Sequence, residues 1–144
     1  MDLAFTMLHP DAVIPQYAHD GDAGLDLVAM DEHTLAPGGG RSMISTGLAV
    51  AIPQGFAGLV LPRSGLAAGH GVTCANAPGL IDAGYRGEIL VALVNLDPHA
   101  TYQVHSGDRI AQLVVVAVPV LSPRLVDSLP NAARGAGGFG STGR

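Results

Sequence analysis

An all-β domain, a barrel or a jelly roll, is what three features of this 144-residue chain predict. Its 20 glycines and 10 prolines recur at short intervals, so long uninterrupted elements do not fit between them. The intervening segments are rich in Val, Ile and Leu, which suit a pleated, half-buried surface. No long stretch keeps the 3.6-residue period of an amphipathic helix.

The elements can be placed in chain order. From Ile44 to Ile52 the pattern alternates strictly, with Ile44, Thr46, Leu48, Val50 and Ile52 facing one way. Phe56 to Leu61 reads as a second strand, bounded by Gly55 and Pro62. One or two helical turns fit around Ser64 to Ala68, the best helical candidate. Glu88 to Asn95 and Arg109 to Val116 are further apolar strands. Pro53-Gln54-Gly55, Pro98 to Ala100 and Ser106-Gly107-Asp108 supply the turns. The stretch from Arg134 to Arg144 differs in kind, being rich in glycine with almost nothing to bury. It reads as an arm that is mobile when free, so residues 1–133 form the domain and 134–144 the arm.

Composition excludes several chemistries. All seven cationic side chains are arginines, so a Schiff-base lysine and a lysine-bearing phosphate loop are both impossible. A net charge of −5 and a pI near 5.5 argue against nucleic acid as a partner. Charged residues are 13% of the chain, about half the ~25% of an average soluble protein. With a mean hydropathy of +0.36, that scarcity predicts a homo-oligomer that buries apolar surface against copies of itself. A membrane location fails on length, because the most apolar run, Leu113 to Leu121, holds Pro119 and is shorter than the ~20 residues of a spanning helix. No basic segment precedes Arg41, so no secretory signal is expected, and the single Cys74 fits a reducing cytoplasm. The histidines show no metal-ligand spacing, and zinc-dependent base deamination lacks its cysteines. Gly135, Gly137 and Gly140 satisfy G-x-G-x-x-G, but without the strand–helix context a dinucleotide site needs.

Five segments concentrate the acidic, arginine, glycine and hydroxyl residues. They are Asp22 to Leu27, Pro62 to Gly65, Gly79 to Glu88, Gly107 to Leu113 and the glycine-rich arm. Each alone has an ordinary reading: Asp22 and Asp26 as turn residues, Arg63-Ser64 as a helix start, Arg86 with Glu88 as an ion pair. Together and in this order they resemble the five motifs of the trimeric deoxyuridine triphosphatases (dUTP pyrophosphatases), from Asp22 to Gly143. Ala77 departs from the pattern, where many relatives carry serine.

The resemblance implies a distorted jelly-roll-like β-barrel, a homotrimer with three shared active sites, and a C-terminal arm that closes over the substrate. It implies Mg²⁺-dependent hydrolysis of dUTP to dUMP and pyrophosphate, which keeps uracil out of DNA and supplies dUMP for thymidylate synthesis. Asp82 matches the carboxylate that orients the attacking water at the α-phosphorus. Gln112 matches the residue touching that phosphate and the water. Asp26 matches the aspartate that supports the metal through water molecules. Arg63, Ser64 and Gly65 match the phosphate-binding second motif. The hairpin from Asn76 through Gly79 and Ile81 to Tyr85 resembles the uracil reader, with Gly79 and Gly84 expected to permit unusual backbone angles. Tyr85 matches the aromatic that lies against the deoxyribose. In the arm, Phe139 and Gly140 resemble the part that covers uracil, while Arg134, Ser141 and Thr142 resemble the γ-phosphate contacts. Arg109 reads as a buttress of the site. A dCTP deaminase and a catalytically silent nucleotide-binding protein on the same barrel are the competing expectations.

Overall fold

The computed structural model describes residues 2–138. Among them lie ten strands and one helix: β1 (Ala4–Met7), β2 (Leu25–Val28), β3 (His33–Leu35), β4 (Gly40–Ala51), β5 (Phe56–Pro62), α1 (Ser64–His70), β6 (Val72–Cys74), β7 (Gly79–Ile81), β8 (Glu88–Asn95), β9 (Tyr102–Val104) and β10 (Arg109–Ala117). The chain is all-β, as its composition predicts. The four longest strands are those that the sequence places, to within a residue or a few at their ends. The short ones, of three or four residues, carry no legible period.

The strands do not close into a barrel among the described residues, which corrects one expectation. They form two open four-stranded sheets, β1-β4-β8-β6 and β2-β10-β5-β7, and a ribbon of β3 with β9. Closure needs an unbroken ladder around the ring. Here the edge strands β6 and β7 are three residues each, and the chain turns away between them. The sheets meet through side chains instead. Leu27, Val60, Ile81, Ile110 and Leu113 from one sheet share a core with Ile44, Leu48, Ile89, Val91 and Leu93 from the other. Each large aliphatic side chain buried this way contributes about 1.5–3 kcal/mol before entropy is counted.

Strand β4 shows how the period sets the packing. Ile44, Thr46, Leu48, Val50 and Ile52 are all between 0% and 2% exposed, the face the alternation predicts. Thr46 is polar at a core position, and its hydroxyl donates to the Ile89 carbonyl at 2.7 Å. The β4–β8 register shifts between Ser45 and Ala49. Gly47 sits in that irregularity at φ 65°, where a side chain would be strained and would press on Ala12 at 3.0 Å.

Asn95 ties three segments to the end of β8. Its fully buried carboxamide donates to the Leu35 and Ala100 carbonyls, at 3.1 and 2.8 Å, and accepts from the Asp97 N–H at 3.0 Å. Asn95→Ala strands those buried groups, and we expect it to destabilise the protein by about 2–4 kcal/mol in urea unfolding. A loss below ~0.5 kcal/mol would show that water replaces the amide there.

Helix α1 opens on Arg63, whose backbone is extended, and closes on Gly71 at φ 66°. It runs two residues beyond the Ala68 boundary predicted from the sequence. Past β10 the chain leaves the sheets, and all residues from 117 to 138 are exposed. Val120, Leu121, Leu125 and Leu129 are 78–101% exposed, an apolar strip unlike a solvated tail. No helix among the described residues is long and apolar enough to cross a membrane.

Candidate active site

Strand pairing assembles the first half of the site. Gln112 on β10 lies directly across from Asp26 on β2 and from Leu61 on β5. Because β5 ends at Pro62, Arg63 and the start of α1 follow at the same edge. Arg63 Nε lies 3.3 Å from Asp26 Oδ1, and Arg109 Nη1 lies 3.2 Å from Asp26 Oδ2. Arg63 Nη1 also donates to the Arg109 carbonyl at 3.0 Å. Gln112 Nε2 donates to the Pro62 carbonyl at 3.1 Å. These side chains, with His19, Asp22, Gly24, Ser64 and Gly65, line a cavity of about 550 Å³. The first N–H groups of α1, at Ser64 and Gly65, have no carbonyl within the helix to pair with. Two guanidinium groups and a helix start therefore surround one carboxylate, a setting suited to an anion.

The second half belongs to β7 and the turn after it. β7 is the edge strand of its sheet, so one row of its backbone N–H and C=O groups carries no ladder bonds. Asn76, Gly79, Ile81 and Tyr85 line a cavity of about 230 Å³, with Met43, Leu90 and Ala92 from the other sheet beside them. Asp82 follows Ile81 directly and is exposed, with no side-chain hydrogen bond or ion pair among the described residues. Its carbonyl accepts the Tyr85 N–H at 3.0 Å. Neither Gly79 nor Gly84 has a positive φ, which corrects the expected unusual angles. Gly79 answers to space instead, since a Cβ there would stand 3.2 Å from Val60 Cβ.

The two halves lie on opposite sides of one strand. Val60 lines the β7 cavity and Leu61, the next residue, lines the Asp26 cavity. Successive side chains of a strand point to opposite faces. The structure thus brings together Asp26, Arg63, Ser64, Gly65 and Gln112, and separately Asn76, Gly79, Ile81 and Tyr85, but not the two groups with each other. Arg134 joins neither, and its Nε donates to the Gly137 carbonyl at 2.8 Å. Phe139, Gly140, Ser141 and Thr142 lie outside the described residues.

A family model for dUTPase matches residues 11–143. The chain is also 56% identical over 136 residues to the deoxyuridine 5'-triphosphate nucleotidohydrolase of Thermobifida fusca, covering 94% of this chain and 75% of that one. It belongs to the dUTPase family. Identity to the protein of the same name from Mycobacterium tuberculosis is 53% over 146 residues, covering 98% of this chain and 94% of that one. Among solved structures, the dUTPase of Staphylococcus bacteriophage 80alpha with dUPNHPP superposes with a TM-score of 0.91 at 28% identity, over 99% of both chains. A mutant dUTPase from phage phi11 of S. aureus, in which the coordination of a structural Mg(II) ion is seen, superposes at 0.82 with 27% identity, covering 91% of this chain and 100% of that one.

Within the dUTPase-family site, Arg109 stands where the expected buttress would, and Gly24 is a residue that the sequence reading did not single out. Arg109 holds Asp26 from the side opposite Arg63. Gly24 passes so close beneath Gln112 that a Cβ would fall 2.3 Å from its Oε1. The only signal for Gly24 in the sequence was its place in a charged, glycine-bearing segment. Asp22 keeps its ordinary reading, accepting the His19 N–H at 2.8 Å in a turn. Arg86 and Glu88 do not pair, which corrects the ion-pair reading. Arg86 donates to the Ala83 and Tyr85 carbonyls, while Glu88 accepts from Ser45 Oγ and the Gly47 N–H. Cys74 is buried in the core, and burial pushes its thiol pKa up, away from nucleophilic use.

The residues present fit a Mg²⁺ ion of one kind only. No group of three or more His, Cys, Asp or Glu side chains converges among the described residues, so a cage of protein ligands is absent there. Both oxygens of Asp26 already face guanidinium groups. A hydrated Mg²⁺ carried by a polyphosphate, reached from Asp26 through water, is what this donor set accommodates.

Proposed function

We propose that this dUTPase-family chain hydrolyses dUTP to dUMP and pyrophosphate, by attack of water at the α-phosphorus. The observation that carries this reading is the pair of half-sites flanking β5, one suited to a uridine and one to a triphosphate. Four solved structures of the bacteriophage 80alpha dUTPase hold dUpNHpp, and the curated relatives are named for dUTP hydrolysis.

On the base side, the unpaired edge of β7 and Asn76 supply the donors and acceptors for uracil. Cytosine exchanges an acceptor for a donor at position 4, which would leave a buried backbone group unpaired. Tyr85 stands against the sugar where a 2′-hydroxyl would project. Asp82 orients the water and takes its proton, a role worth about 10²–10⁴ in rate. On the phosphate side, Arg63 and the N–H groups of Ser64 and Gly65 hold the anion, and Gln112 contacts the α-phosphate and the water. Arg109 and Arg63 fix the Asp26 carboxylate. Mg²⁺, when bound on the triphosphate, neutralises charge between the phosphoryl groups.

Since one chain separates its halves by a strand, an entire site needs halves from different copies. A homotrimer with shared sites meets that need. The exposed Met43, Leu80 and Leu90, at 56%, 64% and 44%, and the apolar strip past β10 offer the surface for it. Residues 134–144, with Arg134, Phe139, Gly140, Ser141 and Thr142, serve as the arm that closes over the bound triphosphate and expels water. The activity would lower dUTP and supply dUMP, and the single, buried Cys74 supports a reducing cytoplasm as its place.

A hydrolysis panel of dUTP, dCTP, dTTP and UTP with Mg²⁺, reading pyrophosphate and ammonia, tests the proposal. Pyrophosphate from dUTP alone, at least ~10²-fold above the other three, is expected. Ammonia from dCTP would identify a deaminase, and no pyrophosphate from dUTP would identify a binding protein.

A further inference from the structure

The ring of Tyr85 has a seat, and the seat is Gly87. Tyr85 is 44% exposed, and its hydroxyl donates to the Glu88 carbonyl at 2.9 Å. To reach it the ring folds back across the backbone of Gly87. A Cβ on Gly87 would stand 2.5 Å from Tyr85 Oη, 2.7 Å from Cζ and 3.0 Å from Cε2. Gly87 is absent from the positive-φ glycines, so no left-handed backbone there calls for glycine. The nearest atoms that a side chain there would meet are those at the free end of one exposed aromatic ring. The backbone beneath is otherwise held, since Arg86 Nη1 donates to the Ala83 and Tyr85 carbonyls at 2.8 and 2.7 Å.

We infer that Gly87 is a positioning residue for sugar discrimination: its missing side chain lets the Tyr85 ring lie where it blocks a 2′-hydroxyl. The inference rests on the reading of Tyr85 as the wall of the sugar site. A methyl group at Gly87 lifts the hydroxyl end of the ring and breaks its bond to Glu88. The turn itself keeps its course, because the ring yields before the backbone does. The wall then no longer stands at a fixed height over the sugar, and ribonucleotides gain entry.

The experiment is a double-mutant cycle of Gly87→Ala and Tyr85→Ala. It reads the ratio of kcat/KM for dUTP to kcat/KM for UTP in the full chain. Each single variant is expected to lower that ratio by about tenfold or more, and the double variant to lower it no further than Tyr85→Ala does. A general loss of folded protein would reduce both substrates alike and leave the ratio where it was. If Tyr85→Ala lowers the ratio and Gly87→Ala leaves it unchanged, Gly87 has no part in discrimination while Tyr85 keeps its role. If Tyr85→Ala leaves the ratio unchanged, the reading of Tyr85 fails and the inference falls with it. Additive losses in the double variant, or a Gly87→Ala protein that aggregates, would mean that the methyl group meets something other than Tyr85, and would also overturn it.

Discussion

Replacing Asp82 by asparagine is expected to lower kcat for dUTP by about 10²–10⁴ while affinity for a non-hydrolysable dUTP analogue changes little. The carboxamide has the carboxylate's shape but cannot take a proton from water. Asp82 is exposed and makes no side-chain hydrogen bond or ion pair among the described residues. Its replacement therefore disturbs no packing, and stability should stay within about 0.5 kcal/mol. Single-turnover rates with binding isotherms check both halves of this expectation. A kcat equal to that of the unaltered protein would remove Asp82 from the role of water-orienting base.

Ending the chain after Ala133 is expected to leave the fold intact and cost turnover about 10²-fold or more. Residues 117 to 138 contribute nothing to the core, being exposed throughout. The sheets end at Ala117, and the backbone bond from Val118 N–H to the Gly55 carbonyl, 2.8 Å, is retained in the shortened chain. Unfolding in urea should therefore be unchanged. Turnover should fall because the phosphate cavity, at about 550 Å³, stays open to water without a cover. Full activity in the shortened protein would refute the closing arm.

How much of this could be read from the residues differs between the two sheets' parts. β4 was legible in its second half, where Ile44, Thr46, Leu48 and Val50 are buried and the alternation runs on to Ile52. β7 was not, since three residues hold too little period, yet its edge position is what frees a row of backbone groups. The segments bearing Asp26, Arg63, Asp82 and Gln112 stood out because charge is scarce elsewhere. Their division into two groups could not be read at all. It depends on which strands pair, with Gln112 across from Asp26 and Gly79 across from Val60, and pairing between distant segments leaves no local signal. Gly24 and Gly87 were equally silent. Glycine in a sequence announces freedom of the backbone, whereas here it marks room for another residue's side chain.

The alternation of Val60 and Leu61 along β5 has a bearing on how such a protein can change over generations. The groups that would judge the base and those that would handle the phosphates stand on different faces and share no side chain. A substitution in the β7 hairpin can alter which base is admitted and leave the arginine pair on Asp26 untouched. The reverse holds for changes near α1. Selection can therefore work on identity of the nucleotide and on the hold on its phosphates as two separate traits, with one strand as the partition between them.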